Sequence, residues 1–196
     1  MLQSNQQPQV DALQGKPLPA DPMLAEELQW QPGWDWALYG PLVRWGLAVP
    51  QRLLTANLDR DELMAFYRDP SSDVSGYPAS ARAKLERIII ASHCDLIEAS
   101  QVAPMLRIQQ ARDLRMGQAL ATAPAPALLI AGAYHGRRDL GVPLHWDGQW
   151  GAAPVVVLLS EAGSPLPGPE QADFVWLAPG LPEQDHCAGM RAAAES

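Results

Sequence analysis

The sequence predicts an α/β fold in which helices flank a mostly parallel β-sheet. Three short runs support this prediction, because residues 127–131 and 155–159 are entirely apolar and residues 173–177 are apolar after one aspartate. Continuous apolar runs of this length are typical of strands that are covered on both faces, as in parallel sheets. Longer segments with helical periodicity precede them. The 196 residues, of which 47% are hydrophobic, suffice for one domain with a substantial core.

The first fifty residues combine a polar lead-in with one helix. Residues 3–22 are rich in Gln and Pro and are expected to be solvated, with a short helical stretch at 10–13. From position 36, aromatic and aliphatic residues recur at helical spacing: Trp36, Tyr39, Val43 and Leu47. This spacing predicts a core-facing helix, interrupted near Pro41 because proline removes a backbone hydrogen bond.

Further elements are predicted before residue 100. Residues 52–57 are expected to form a short strand, and Asp59 to cap a helix that continues to Tyr67. A loop rich in turn-forming residues follows at 69–78. The clearest helix spans about residues 80–99, because its aliphatic residues lie on one side and its charges lie opposite.

The helix predicted from Pro104 to Thr122 departs from the usual pattern of one apolar and one polar face. Arg112 and Asp113 follow Gln109 by three and four residues, so an amide, a guanidinium and a carboxylate share a face with apolar neighbours. Buried polar groups need partners. This face therefore indicates a ligand site or, equally well on spacing alone, an ordinary exposed face.

A polar turn follows the apolar run at 127–131 and is the default candidate for a ligand site. Gly132 ends the run. Charged and imidazole side chains then follow closely: His135, Arg137, Arg138 and Asp139. In open α/β sheets, ligands bind where strands end beside such turns. The simpler alternative is a loop in which His135 only bonds a backbone carbonyl.

The charge balance excludes two classes of partner. With 14 Lys and Arg against 22 Asp and Glu, the formal net charge is -8, which argues against nucleic acid or anionic lipid as a partner. Cys94 and Cys187 permit one disulfide but specify no zinc site. The alternative for Cys94 is that it and its neighbour His93 are buried together in the core, with their polar groups satisfied. The chain as written starts without a secretory signal and has no apolar run of about 20 residues.

Several short motifs occur in order along nearly the whole chain. They are Trp34-Asp-Trp36 with Tyr39, Thr55-Ala-Asn57, His93-Cys94, Gln110-Ala-Arg-Asp113 with Met116, Gly132-Ala-Tyr-His135, Asp139-Leu-Gly-Val-Pro143 and Asp173-Phe-Val-Trp176. Together they resemble the ChaN family, the haem-binding uptake branch of the Tiki/EreA-like superfamily. The resemblance implies one ChaN-like domain over residues 1–196, with a helical subdomain at 61–118. The polar, alanine-rich segment 179–196 is expected to be a flexible tail.

The resemblance implies a haem-binding protein of a bacterial iron or haem uptake system. Haem would be bound non-covalently at the subunit interface of a homodimer, with tyrosine as the ferric iron ligand. The candidate ligands are Tyr67 and Tyr77, and His93 is the candidate propionate partner. The pocket is expected to contain Gln110, Arg112, Asp113, His135 and Arg138. The resemblance further implies a lipoprotein at the outer membrane or in the periplasm, with haem-uptake components of the cell envelope as partners.

The resemblance also implies that an N-terminal βαβ portion of the family fold is missing. Family members are expected to carry a lipoprotein signal and a first strand ending in Gly-Glu-x-His, whereas no Gly-Glu dipeptide occurs in this sequence. We therefore expect a truncated, C-terminal portion. Without that unit, residues 127–131 would lack a neighbouring strand, so the chain alone is expected to be marginally folded.

Two alternative functions are open. The wider superfamily includes hydrolases that use paired Gly-x-x-His motifs, and Gly132-Ala-Tyr-His135 supplies one of them. Arg112 and Arg138 would then clamp an anionic substrate. Because a single histidine cannot form a His-rich metal site, catalysis by this chain is not expected. The second alternative is an inactive remnant.

Overall fold

The computed structural model describes residues 2–49, 51–71, 74, 76–146, 150–180, 185 and 187–194. The chain forms two compact units, Met1–Glu62 and Leu63–Ser196. Their boundary falls beside the predicted start of the helical subdomain at residue 61. The second unit, however, continues past residue 118, where that subdomain was expected to end.

The described chain is mostly helical, with a small parallel sheet. The α-helices are α1 (Gln7–Leu13), α2 (Asp21–Glu27), α3 (Trp36–Ala48), α4 (Arg60–Arg68), α5 (Ala79–Ser92), α6 (Ala99–Thr122), α7 (Ala133–Gly136) and α8 (Ala188–Ala194). Short 3-10 helices span Ser4–Gln6 and Val142–His145, and the strands are β1 (Val157–Glu161) and β2 (Phe174–Ala178). No helix in the described ranges is long and apolar enough to cross a membrane.

The glutamine-rich start of the chain is part of the core of the first unit. Val10 and Leu24 are fully buried in one cluster with Leu47. Gln6 is buried as well, and its Nε2 donates to the backbone carbonyl of Leu28 at 2.6 Å. The expected solvated lead-in is therefore wrong, because these polar side chains bond backbone carbonyls while their apolar neighbours pack inward.

Two proline-based predictions are also wrong. Helix α3 continues through Pro41, and α6 begins at Ala99 and contains Pro104. One missing backbone donor does not end a helix whose other residues bond normally. The start of α6 is set by a capping box, in which Gln101 accepts a hydrogen bond from the backbone N–H of Glu98 at 2.8 Å.

The segment before α4 forms one of its two predicted features. Asp59 caps the helix as predicted, because its Oδ1 accepts hydrogen bonds from the backbone N–H groups of Asp61 and Glu62 at 3.0 and 2.9 Å. The strand predicted at 52–57 is wrong. It is represented only by an isolated bridge between Asn57 and Gln3.

Helix α5 ends earlier than its apolar pattern predicts. Cys94 and Asp95 follow it with left-handed φ angles of 60° and 59°, which stop the helix. Cys94 is only half-buried and forms a disulfide with Cys187. The expected core pair is therefore wrong for Cys94, whereas the one disulfide that the sequence permits is present.

The chain after residue 178 contains α8, directly after the disulfide-bonded Cys187. Residues 181–184, 186, 195 and 196 of the predicted tail lie outside the described residues. Between Cys187 and residue 194 the tail is helical.

Two of the three predicted strands form and pair in parallel. The register places Val157 opposite Phe174 and Leu159 opposite Trp176. These strands are poorly covered, because Leu159 and Trp176 are 74% and 69% exposed. Residues 127–131 form no strand in the described structure, and Leu128 within them is 74% exposed. The prediction of a buried strand there is wrong, because this segment pairs with neither described strand and is not covered by a second layer.

The core that positions the candidate site lies between α5 and α6. Ala81 and Leu85 of α5 pack with Leu106 of α6, and Tyr77 and Leu140 complete the cluster. Leu85, Leu106 and Leu140 are at most 1% exposed. This packing places the loop after α7 against both helices.

Candidate functional site

Helix α6 carries a fully buried carboxylate. Asp113 is 0% exposed, its Oδ2 accepts a hydrogen bond from the Tyr77 hydroxyl at 2.6 Å, and its Oδ1 lies 2.5 Å from Nδ1 of His135. A buried carboxylate is costly unless its oxygens are bonded, and here both oxygens are. We call Tyr77, Gln109, Asp113, His135 and His145 the buried polar cluster.

The contact with Asp113 fixes the proton of His135. An ionised carboxylate only accepts hydrogen bonds, so Nδ1 of His135 carries a proton and donates it. The side-chain nitrogen of Gln109, one helical turn before Asp113, lies 3.0 Å from the same nitrogen, but because both nitrogens are donors this is a packing contact and not a hydrogen bond. The structure therefore brings His135 to the polar face of α6. The alternative, a bond to a backbone carbonyl alone, is wrong.

Burial controls the protonation of the two other rings. Desolvation raises the pKa of Tyr77, and the charge of Asp113 and its hydrogen bond raise it further, so Tyr77 stays a neutral phenol. Burial lowers the pKa of His145, and Asp113 only partly offsets this. His145 packs edge to face on Tyr77 at 4.8 Å, and its buried Nε2 has no hydrogen-bond partner among the described residues.

Two further predicted residues flank Asp113 on α6. Gln110 and Arg112 each keep one buried polar atom, Oε1 and Nε respectively, without a hydrogen-bond partner in the described ranges. Burial lowers the pKa of Arg112, and the charge of Asp113 partly offsets this. Four of the five predicted pocket residues, namely Gln110, Arg112, Asp113 and His135, thus share one region.

The remaining three predicted residues have their partners outside the buried polar cluster. Arg138 pairs with Asp173 before β2. His93 follows the last residue of α5, and its Nδ1 lies 2.8 Å from the carbonyl of Ile89. Tyr67 is half-buried on α4. Their predicted roles in haem binding stay predictions.

An open cavity of about 590 Å³ lies beside α5 and α7. It is lined by Lys84, Arg87, Ile88, Ala91, Ser92, Tyr134, Arg137 and Leu140. The lining combines apolar side chains with basic groups and one phenol. Such a surface suits an apolar ligand that carries anionic groups.

The basic groups of the cavity differ in their availability. Arg137 donates to both oxygens of Asp139 at 2.8 Å, and Lys84 donates to one of them at 3.0 Å. Burial alone would raise the pKa of Asp139, but the hydrogen bonds and charges of Arg137 and Lys84 hold it below its usual value. Arg87 is exposed and has no charged partner in the described chain, so its guanidinium is available to a ligand.

Tyr134 is the site residue that the motif-based prediction omits. It belongs to Gly132-Ala-Tyr-His135, from which only His135 was assigned to the pocket. The side chain is 47% exposed and lines the cavity, and no described residue bonds its hydroxyl. Adjacent residues on a helix point about 100° apart. A His135 side chain that points toward α6 therefore indicates that the side chain of Tyr134 points in a different direction.

Comparison with known proteins decides the family. A family model described as haem-binding uptake, Tiki superfamily, ChaN matches residues 1–145. The chain belongs to the ChaN family. The matched segment contains every residue of the cavity and of the buried polar cluster.

A solved structure supports the ChaN assignment and the fold class. The chain is similar to the protein in "Cofacial heme binding to ChaN of Campylobacter jejuni", with 28% sequence identity and a TM-score of 0.71. The similarity covers 89% of this chain and 70% of that chain. A search of curated proteins found no significant match.

Acidic, imidazole and thiol side chains bind metal ions when several of them converge. Among the residues that the structure describes, no group of three or more His, Cys, Asp or Glu side chains is placed to hold a metal ion. Asp113 and His135 form only a pair, with His145 Nε2 at 3.9 Å from Asp113 Oδ2. The cavity with Tyr134, which combines apolar walls with basic groups, is the candidate for binding a ligand.

Proposed function

We propose that this ChaN family member binds haem non-covalently and that Tyr134 is the iron ligand. One observation carries the proposal. The phenol of Tyr134 has no partner in the described structure and lines a cavity with apolar walls and an unpaired guanidinium. Haem would supply an iron with open axial positions and two propionates.

The cavity offers one group for each part of haem. The apolar faces of haem would lie against Ile88, Ala91 and Leu140. A propionate would accept hydrogen bonds from Arg87. Tyrosine oxygen is an established axial ligand of haem iron. Arg87 and Arg137 line the same cavity as Tyr134.

The other tyrosines are competing candidates. Tyr77 would have to withdraw its hydroxyl from Asp113, and removing a donor from a buried carboxylate is costly. Tyr67 has only its backbone carbonyl engaged, by Arg107 at 3.1 Å. His93, the candidate propionate partner, directly follows Ser92 of the cavity wall. We rank Tyr134 first because it alone among these tyrosines lines the cavity.

We further propose that a second copy of the chain completes the haem site. Tyr134 is 47% exposed, and Leu128 and Ile130 shortly before it are 74% and 45% exposed. Exposed apolar surface of this kind is typical of interfaces. The cofacial haem binding described for the similar ChaN of Campylobacter jejuni supports a site in which two haems face each other.

We propose that the protein acts in haem uptake in the cell envelope. The family description supports uptake. The disulfide between Cys94 and Cys187 supports an oxidising compartment such as the periplasm, because disulfides persist there and are rare in reducing cytoplasm. Fractionation of cells, with detection of the oxidised protein in the periplasmic or outer-membrane fraction, tests this location.

The ligand proposal is tested with a series of Tyr→Phe variants. The chain has four tyrosines, so each can be replaced singly and titrated with ferric haem. Wild type should give a shifted Soret band and a charge-transfer band typical of iron bound to phenolate. Only Tyr134→Phe should lose the second band, with affinity lowered about tenfold or more, equivalent to about 1.4 kcal/mol.

Matched outcomes separate the candidates. Tyr39→Phe is the control because Tyr39 is not among the residues that line the cavity. Loss of the band in Tyr67→Phe or Tyr77→Phe, with Tyr134→Phe unchanged, would reject Tyr134. An unshifted Soret band in wild type would reject haem binding and leave the inactive remnant as the better interpretation.

A hydrolase is the second candidate function, and one observation favours it. The bond between Asp113 and His135 is the arrangement in which a carboxylate orients a histidine that acts as a general base. Ester, amide and phosphoester substrates, tested with and without added divalent metal, would reveal this activity. Hydrolysis that is lost in His135→Ala would support it.

A further inference from the structure

The turn that carries Tyr134 is too short to hold its own conformation. Helix α7 comprises only Ala133–Gly136, and a single helical turn fixes several backbone angles for very few hydrogen bonds. Its own helical bonds include Gly136 N–H to the Gly132 carbonyl at 3.2 Å and Arg137 N–H to the Ala133 carbonyl at 3.0 Å. Its orientation must therefore be fixed by contacts with other elements.

Helix α6 supplies such a contact through one side chain. His135 Nδ1 donates to Asp113 at 2.5 Å, and the His135 side chain is 16% exposed. Asp113 is itself held in place, because it is fully buried and its second oxygen is bonded by Tyr77. Hydrogen bonds to a charged group in a buried site are among the stronger ones in proteins.

The chain after α7 holds the same turn from the other side. Gly141 N–H donates to the Arg137 carbonyl at 2.8 Å. A Cβ atom at position 141 would lie 2.1 Å from the carbonyl oxygen of His135 and 2.6 Å from that of Tyr134, so only glycine permits this approach. The backbone at 134 and 135 is thus enclosed between residue 141 and the side-chain bond to α6.

Because adjacent helical side chains differ by about 100° in direction, fixing His135 also fixes the direction of Tyr134. We propose that Asp113 and His135 are positioning residues that hold the Tyr134 phenol in the cavity. This inference rests on the proposed function, in which Tyr134 is the haem ligand. In this view the buried carboxylate of Asp113 orients the iron ligand and does not take part in chemistry on a substrate.

The first test needs no haem. In the apo protein, His135→Ala should increase hydrogen exchange of the Arg137 and Gly141 amides by about tenfold or more, as expected when a local bond worth about 1.4 kcal/mol is removed. Amides in the middle of α5 should keep their wild-type rates. His135→Asn places an amide donor near the position of Nδ1 and should restore protection. Unchanged exchange in His135→Ala would overturn the proposal.

The second test is a double-mutant cycle with haem. His135→Ala should weaken or shift the phenolate charge-transfer band and lower affinity about tenfold, whereas the same substitution in the Tyr134→Phe background should cause no further loss. Additive losses, or an unchanged band in His135→Ala, would overturn the inference. If His135→Ala does not fold, as judged by circular dichroism, Asp113→Asn takes its place in the cycle.

The outcomes distinguish this inference from the proposed function. Haem binding that depends on Tyr134 but not on His135 rejects the positioning role alone. Absence of haem binding in wild type rejects the proposed function and, with it, a haem-positioning role. In that case the exchange experiment still shows whether His135 anchors the turn.

Discussion

Arg87 is exposed on α5 at the edge of the cavity, and no charged side chain in the described chain pairs with it. Lys84 and Arg137 line the same cavity but are both bound to Asp139. A carboxylate of the ligand therefore meets one guanidinium that loses no protein partner on binding. This difference makes Arg87 the residue through which charge recognition can be measured.

We expect Arg87→Gln to lower haem affinity about two- to fivefold at low salt, as for loss of one exposed ion pair. The effect should shrink as salt is raised, because screening weakens exposed pairs. Arg82→Gln is the matched control, because Arg82 lies on the same helix and already pairs with Glu86 at 3.2 Å. Haem titration of both variants measures the difference. Equal affinities for the two would contradict this role of Arg87.

His145 makes the stability of the second unit depend on pH. Burial lowers its pKa in the folded protein, so the folded state binds fewer protons than the unfolded state, where histidine titrates near about 6.5. Neutral His145 therefore contributes its full share of the free energy of unfolding above about pH 6.5. As the pH falls below that value, this contribution decreases by at most about 1.4 kcal/mol per pH unit. When the free energy of unfolding is measured in urea across this pH range, it should depend less strongly on pH in His145→Gln than in wild type. Equal slopes would contradict the assignment.

At the scale of elements, the disulfide joins the end of α5 to the start of α8. Cys94 and Cys187 are separated by 93 residues, and Sγ of Cys94 also lies 3.6 Å from Sδ of Met190 in α8. The bond thus ties the C-terminal helix to the helix that forms much of the cavity wall. Its reduction should release α8 without directly touching the cavity lining.

Reduction of the disulfide is expected to lower the free energy of unfolding by about 4 kcal/mol, because a bond closing a loop of this length restricts the unfolded chain strongly. Unfolding in urea, with and without a reductant, measures this loss. A variant with both Cys94→Ser and Cys187→Ser should unfold at the same urea concentration as the reduced protein. Its midpoint should not change when a reductant is added. A midpoint that reduction leaves unchanged would contradict the expectation.

At the scale of the whole molecule, the parallel sheet of the second unit exposes large apolar side chains. Leu159 and Trp176 are register partners, so their side chains lie side by side on one face. They are 74% and 69% exposed. Two-stranded sheets with open edges and uncovered faces favour pairing with other chains.

We expect the purified chain to self-associate through this sheet, and Leu159→Ser with Trp176→Ser to lower the mass measured by light scattering after gel filtration. Leu166→Ser is the control, since Leu166 is 67% exposed but lies in the loop between the strands. The control should keep the mass of wild type. A wild-type monomer at high concentration would refute the expectation.

Much of the local structure could be predicted from the sequence. The cap at Asp59, the helical register of α5 and α6, and the parallel pairing of β1 with β2 follow from residue spacing and side-chain chemistry. The contact between His135 and Asp113 could also be anticipated, because a carboxylate on a helix face with apolar neighbours needs a donor. The motifs correctly indicated the ChaN family.

The tertiary structure decided which patterns became buried and which tyrosine became available. Residues 127–131 have the composition of a buried strand yet stay unpaired, because burial depends on neighbours that a local pattern does not contain. Residue type alone does not distinguish Tyr77 from Tyr134 as a ligand. Packing between α5 and α6 commits the hydroxyl of Tyr77 to Asp113, whereas the anchored α7 turn presents Tyr134 to a cavity. Spacing along the chain determines the direction in which a side chain points. Only contacts between distant elements determine whether its polar group is left free to bind a ligand.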